Sequence, residues 1–234
     1  MTYQVLSRRL RPQRFADVVG QEHVTRTLQA AITGDRVAHA FLFAGPRGVG
    51  KTTTARILAK ALNCERGPAP EPCNECSTCR EIAEGIAFDV LEIDGASHTQ
   101  VEKMRDLMET VAHRPIKSRF KIYIIDEVHM LSSHSFNALL KTLEEPPPHA
   151  KFILATTDPH KVLQTVLSRC QRYDLRRIGL GALIAELRRA VEREGVALPD
   201  TTLALVAREA EGSLRDAQSL LEQVLAAGEG APDE

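Results

Sequence analysis

The chain has 234 residues, enough for one large or two ordinary domains, and its 43% hydrophobic content can fill a sizeable core, which excludes a wholly disordered protein. Thirty Lys and Arg residues against 31 Asp and Glu give a formal net charge of -1, so no global basic field points to nucleic acid or to an anionic membrane. Purely apolar runs such as residues 40–44 and 122–125 are strand length and far below the roughly 18 residues of a membrane span.

In chain order, the amino-terminal stretch MTYQVLSRRLRPQRF carries Arg8, Arg9, Arg11 and Arg14 before the first acidic residue, Asp17. It has charges where an export signal needs an apolar run, so the chain is read as cytoplasmic. Residues 41–44, 90–93, 120–125, 152–155 and 170–175 read as strands, with helical patterns over residues 51–62, 101–112 and 135–143 between them. The last of these helices runs into Pro146, Pro147 and Pro148, which cannot continue it. Strands alternating with helices predict a parallel sheet of five strands with helices on both faces. After about residue 178 the strand signals stop. Leu183, Leu187, Ala190 and Val191 form one helical stripe, Leu203, Val206, Ala207 and Ala210 a second, and Leu214, Ala217, Leu221 and Val224 a third. Residues 1–178 are therefore expected to form an α/β domain and residues 179–234 a small all-α domain, ending in the frayed tail GEGAPDE.

Three motifs carry chemistry. Residues 45–52 read GPRGVGKT after an apolar strand and before a helix, the pattern and context of a phosphate-binding loop. Gly45, Gly48, Val49, Gly50, Lys51, Thr52 and Thr53 are its nucleotide-binding candidates: backbone N–H groups around phosphate oxygens, Lys51 on the outer phosphates, and the Thr52 hydroxyl on magnesium. The strand RFKIYII ends in Asp126 and Glu127. A sheet covered on both faces binds ligands at the carboxyl ends of its strands, so Asp126 is placed to hold magnesium and Glu127 to orient or deprotonate an attacking water. Taken alone, the same pair could be an acidic helix cap. His129, in the string DEVH, is read as an exposed or packing residue. One strand separates the phosphate loop from the carboxylates, and no guanine-reading NKxD string occurs, so ATP is the expected nucleotide.

The third motif is Cys64, Cys73, Cys76 and Cys79, spaced C-x8-C-x2-C-x2-C within sixteen residues. Four thiolates suit a closed, structural zinc site, with an iron–sulfur cluster or four free thiols as alternatives. Pro68, Pro70 and Pro72 leave this loop little core of its own, so a metal would fold it. Cys170 stands apart and is read as a small buried side chain.

Together the strings GPRGVGKT, IIDEVHMLS, HSFNALLKTLEEPP, LATTDPHKV, LSRC and EGSLRDA resemble the tau/gamma clamp-loader ATPases of bacterial DNA polymerase III, from Tyr3 to about Ala227. The resemblance implies an AAA+ ATPase with a helical lid and a zinc module near residues 64–79. It implies that Thr157, or failing it Thr156, senses the terminal phosphate. It further implies that Arg169 is an arginine finger for a neighbouring subunit's nucleotide, and that Arg215 reaches from the lid to the phosphates of its own chain. Arg11, Pro12, Val18 and Val19 are implied to pack on the base; a solvated arm, or phosphate contact with DNA, are the other readings of that segment. The implied partners are other clamp-loader subunits, a sliding clamp and primed DNA, with ATP/ADP, Mg2+ and Zn2+ as ligands. Members of the family continue into a helical collar domain that holds the ring together, and this sequence stops before one. Two other functions compete: a phosphate-loop enzyme such as a small kinase, and an interaction module built on the zinc loop with a vestigial nucleotide site.

Overall fold

The computed structural model describes residues 4–96 and 110–228. The helix expected over 101–112 lies almost wholly outside the described residues, as does the tail after Gly228.

Five parallel strands form one sheet: β1 Ala40–Ala44, β2 Val90–Asp94, β3 Lys121–Asp126, β4 Ala150–Thr156 and β5 Gln171–Asp174, in the spatial order β2-β3-β4-β1-β5. Each predicted strand is present with its ends shifted by two residues or fewer. Alternation along the strands divides the core. Phe41, Phe43, Ile122, Ile124 and Ile153 point into one apolar cluster, and Leu42, Tyr123, Ile125, Phe152 and Leu154 into another. The first cluster is closed by α2, Glu22–Thr33, and α3, Lys51–Asn63. The second is closed by α5, Ser133–Glu144, and the short α6, Gln164–Leu167. With both faces covered, the central strands β1 and β4 are buried at every position, which is why they read as unbroken apolar runs.

The amphipathic pattern of α2 was not singled out from the sequence, nor was α1, Leu6–Arg9, or α4, Ser77–Glu84, which leaves the cysteine loop directly. Cysteine, serine and threonine at the start of α4 mask its helical stripe, and Cys76 supplies its cap through its own sulfur.

Three helices follow β5: α7 Leu180–Glu194, α8 Asp200–Glu209 and α9 Leu214–Gly228. Their stripes converge on a third apolar cluster containing Ile178, Leu187, Leu203, Ala207, Ala217 and Leu221, against which Leu10 and Val19 also pack. The amino-terminal segment thus lies between the sheet and the helical unit. Among the described residues, no helix is long and apolar enough to cross a membrane.

Candidate active site

Strand β1 delivers the chain into the glycine loop, and Gly50, at φ +103°, turns it into α3. Lys51 Nζ folds back to donate to the carbonyls of Gly45 and Pro46 at 3.0 and 2.8 Å. Burial pushes the Lys51 ammonium below its ordinary pKa, opposed by the nearby carboxylates of Glu127 and Asp126. Thr52 Oγ1 donates to Asp126 Oδ2 at 2.5 Å, so the hydroxyl and the carboxylate of two separate motifs meet at the carboxyl edge of the sheet.

Glu127 leaves β3 at φ 45°, ψ 47°, a left-handed conformation that L-residues other than Asn, Asp and His rarely adopt, and such geometry concentrates at functional sites. The turn brings its carboxylate to Thr157, whose backbone N–H and Oγ1 donate to Glu127 Oε2 at 3.1 and 2.8 Å. Thr157 is thus the threonine bonded to Glu127. Thr156 is fully buried, and its Oγ1 accepts from the Asp158 N–H at 3.0 Å and lies 2.9 Å from His129 Nδ1. His129 is partly buried and packs through that contact with Thr156; its Nδ1 also lies 3.4 Å from Glu127 Oε2.

The loop and the two carboxylates border a cavity of about 530 Å³ whose wall includes Arg11, Pro12, Val18 and Val19 from the amino-terminal segment, Gly48, Val49, Gly50, Lys51, Thr52 and Thr53 from the loop, and Asp126 and Glu127, while Thr157 reaches it only through its bond to Glu127. The helical unit contributes Leu214, Arg215 and Gln218, and Ile178 stands at the junction. Gly45 is set back from the wall and takes part through its carbonyl. Arg8 and Arg47 also line the cavity. Five cationic side chains therefore face two carboxylates there. Desolvation, then the charges of Arg56, Arg215 and Arg8, push Arg11 below its ordinary pKa, with Glu92 opposing. A cleft so crowded with positive charge fits a polyanion such as a triphosphate, and the Thr52–Asp126 pair fits a hard, oxygen-liking cation such as Mg2+.

Residues missed from the sequence sit where the two parts of the chain meet. The backbone N–H groups of Leu214 and Arg215 donate to the Gly48 carbonyl at 3.1 and 3.4 Å, and Ser213 Oγ caps α9 by accepting from the Asp216 N–H at 3.2 Å. Gly48 is at φ +74°, and a Cβ there would collide with Ser213 Oγ. The phosphate loop and the amino end of α9 are thus one hydrogen-bonded unit, which places Arg215 over the cavity. Gln21, wholly buried, brackets Arg176 through both ends of its amide at 2.7 and 3.0 Å, tying the segment before α2 to the exit of β5. Ser-Leu before Arg215 was a readable cap signal; the partner of Gln21, 155 residues away, was not.

Arg169 is outside the cavity wall. Its guanidinium donates to Glu144 Oε1 and the Thr165 carbonyl, both at 2.7 Å. Cys170 is pushed up to about 12 by burial, the property of an unreactive thiol.

Cys64, Cys73, Cys76 and Cys79 present their sulfurs within 4.8 Å of one another. Tetrahedral thiolates about 2.3 Å from zinc stand about 3.8 Å apart, so the cluster fits that ion. The Cys76 N–H donates to Cys73 Sγ, and the Cys79 N–H to Cys76 Sγ, each at 3.4 Å. Backbone donation, led by Cys76 and opposed by desolvation, lowers Cys73 to about 6, while burial pushes Cys79 up.

A parallel sheet in this order, a phosphate loop, paired carboxylates at a strand tip and a three-helix unit closing over them define an AAA+ nucleotide-binding protein. Among solved structures, the Thermotoga maritima RuvB Holliday junction branch migration motor has this fold: TM-score 0.68 at 23% identity, over 93% of this chain and 65% of that one. A family model described as DNA polymerase III, delta subunit, matches residues 20–179, and one described as DNA polymerase III clamp loader subunit, ATPase lid domain, matches residues 183–230. The chain belongs to this family of DNA polymerase III clamp-loader subunits. It is 55% identical over 230 residues to the tau subunit of Escherichia coli, covering 98% of this chain and 36% of that protein. To the tau subunit of Bacillus subtilis it is 53% identical, covering 96% and 40%, and to the gamma subunit of Buchnera aphidicola from Acyrthosiphon pisum 49%, covering 98% and 64%. The chain thus spans between about a third and two thirds of the length of these relatives.

Proposed function

We propose that the chain binds ATP with magnesium and hydrolyses it as a motor subunit of a clamp loader, acting with other loader subunits to place a sliding clamp on primed DNA. The observation that carries this reading is the meeting of Thr52 and Asp126 at 2.5 Å on the wall of a strongly cationic cavity, with Glu127 beside them. Residues 1–178 would serve as the nucleotide-binding unit and residues 179–234 as its lid.

In this mechanism the backbone N–H groups of residues 48–52 and the Lys51 ammonium bind the phosphates; Lys51 exchanges its two loop carbonyls for phosphate oxygens. Thr52 and Asp126 would hold the magnesium, and the ion would supply charge neutralisation at the phosphoryl oxygens. Glu127 orients the attacking water and accepts its proton, while Thr157, which now donates to that carboxylate, sets its direction and meets the terminal phosphate. Arg215 follows the phosphates from the lid. Because α9 is hydrogen-bonded to Gly48, a change at the phosphate loop is transmitted directly into the helical unit. The base packs on Pro12, Val18 and Val19. Arg169, held outside the cavity by Glu144, acts on the nucleotide of an adjacent subunit.

Calorimetric titration together with phosphate release tests the reading. Lys51→Ala should abolish ATP binding, whereas Glu127→Gln should retain it and lose turnover by 100-fold or more, the order of a general base's contribution. Phosphate release from wild-type assembly without any acceptor separates an ATPase from a kinase. Equal loss of binding in both variants would remove Glu127 from its assigned role.

A further inference from the structure

The cysteine loop contributes no atom to the cavity wall, yet it grips the segment that builds one side of it. Glu71, two residues before Cys73, accepts from the backbone N–H groups of Phe15 and Ala16, each at 3.1 Å, and from Gln29 Nε2 at 2.8 Å. Those two N–H groups open the 3-10 turn Phe15–Asp17, whose own preceding residue, Arg14, offers no side-chain cap. A carboxylate 55 residues further along the chain therefore does the work of a cap.

A second tie lies beside it. Asn74, between Cys73 and Cys76, accepts from Lys60 Nζ at 2.7 Å, and the same ammonium donates to the Gln13 carbonyl at 2.8 Å and to Gln13 Oε1 at 2.6 Å. Lys60 is 1% exposed, and its three donors meet three acceptors, one from the cysteine loop and two from the amino-terminal segment. Gln13, Phe15 and Ala16 lie between Pro12 and Val18, both in the cavity wall. Glu65, Arg66, Pro68 and Pro70 of the cysteine loop are exposed and Pro72 is buried, so apart from Pro72 and the four sulfurs little apolar burial holds this loop in shape.

We propose that metal held by the four cysteines is a positioning device for the nucleotide site: by ordering the loop it fixes Glu71 and Asn74, and through them the amino-terminal wall against which the nucleoside rests. This rests on the nucleotide reading above. The phosphate loop is held by β1 at the amino end of α3, whereas the cysteine loop leaves that helix at its other end, so the effect of the metal falls on the nucleoside and not on the phosphates.

The test is calorimetric titration of the full chain, with its metal content measured first and one zinc per chain expected, using Mg-ATP and, as a probe without base or ribose, Mg-tripolyphosphate. Wild type must bind ATP; if it does not, the nucleotide reading itself fails, and this proposal with it. Given that binding, chelation of the metal and Glu71→Ala should each weaken ATP about tenfold, leave tripolyphosphate within about twofold, and combine with no further loss. Glu71→Gln, which keeps one acceptor oxygen, should fall between. Amide hydrogen exchange at Phe15 and Ala16 should accelerate on chelation. Unchanged ATP affinity in metal-loaded Glu71→Ala, or an equal loss for tripolyphosphate, overturns the proposal. Should the chelated chain unfold by circular dichroism, the metal-loaded Glu71→Ala measurement decides it alone.

Discussion

Glu127 spends conformational energy on its position. A non-glycine residue held at φ 45° costs on the order of 1–3 kcal/mol, and here the cost is offset by two hydrogen bonds from Thr157. Gly48 presents the converse case, a residue whose missing side chain is the point. Its carbonyl carries both leading N–H groups of α9, and the space where a Cβ would stand is filled by Ser213. Gly48→Ala should therefore separate the helical unit from the loop, lowering stability by about 1–2 kcal/mol from the left-handed backbone alone and weakening ATP further through displaced Arg215. Thermal unfolding and calorimetry of the same preparation check this; unchanged melting temperature and unchanged affinity would show that the contact is incidental.

Among the elements, β2 is at the edge of the sheet and depends on the turn that precedes β3. Asp89, 2% exposed, accepts from the backbone N–H groups of Ile116, Lys117 and Ser118 at 2.7, 2.8 and 2.7 Å, setting the register in which Val90 faces Ile122. Burial alone would raise its pKa, but the donors from Ile116, Ser118 and Lys117 outweigh it and hold the carboxyl below its ordinary value. A lowered carboxyl pKa stabilises the folded state fully above the unfolded value of about 4, and that stabilisation disappears as pH falls through the folded value. Asp89→Asn should cost about 2 kcal/mol at pH 7 in urea unfolding, and the gap between variant and wild type should close below about pH 4. A gap that persists unchanged in acid would mean that shape, not charge, supplies the stability.

At the scale of the whole molecule, the cavity is assembled from three separate parts: the amino-terminal segment, the sheet edge and the helical unit. Arg169 is absent from it and points its guanidinium at Glu144 on the outer surface of α5. If its work is done on an adjoining subunit, Arg169→Ala should leave ATP affinity of the isolated chain within about twofold while turnover in the assembled loader drops by about 1,000-fold or more. Full turnover of an assembly carrying the variant at every interface would dismiss the finger role.

The five strands and the helices of the closing unit were legible because a buried parallel sheet writes itself as short apolar runs, and a helix with one buried face as a stripe of period 3.6. GPRGVGKT, the carboxylate pair and the four cysteines were legible because phosphate, magnesium and zinc each demand particular atoms close together in sequence. The sequence alone pointed to the chemistry proposed for these local clusters. Only the tertiary structure decided how they combine: that Thr52 meets Asp126, that α9 hangs from the Gly48 carbonyl, that Gln21 clasps Arg176, and that Glu71 caps a turn 55 residues before it. Such contacts leave no periodic trace, because a single polar side chain satisfying a distant backbone group obeys only the hydrogen-bonding demand of that group, and the fold chooses which residue stands near enough to meet it.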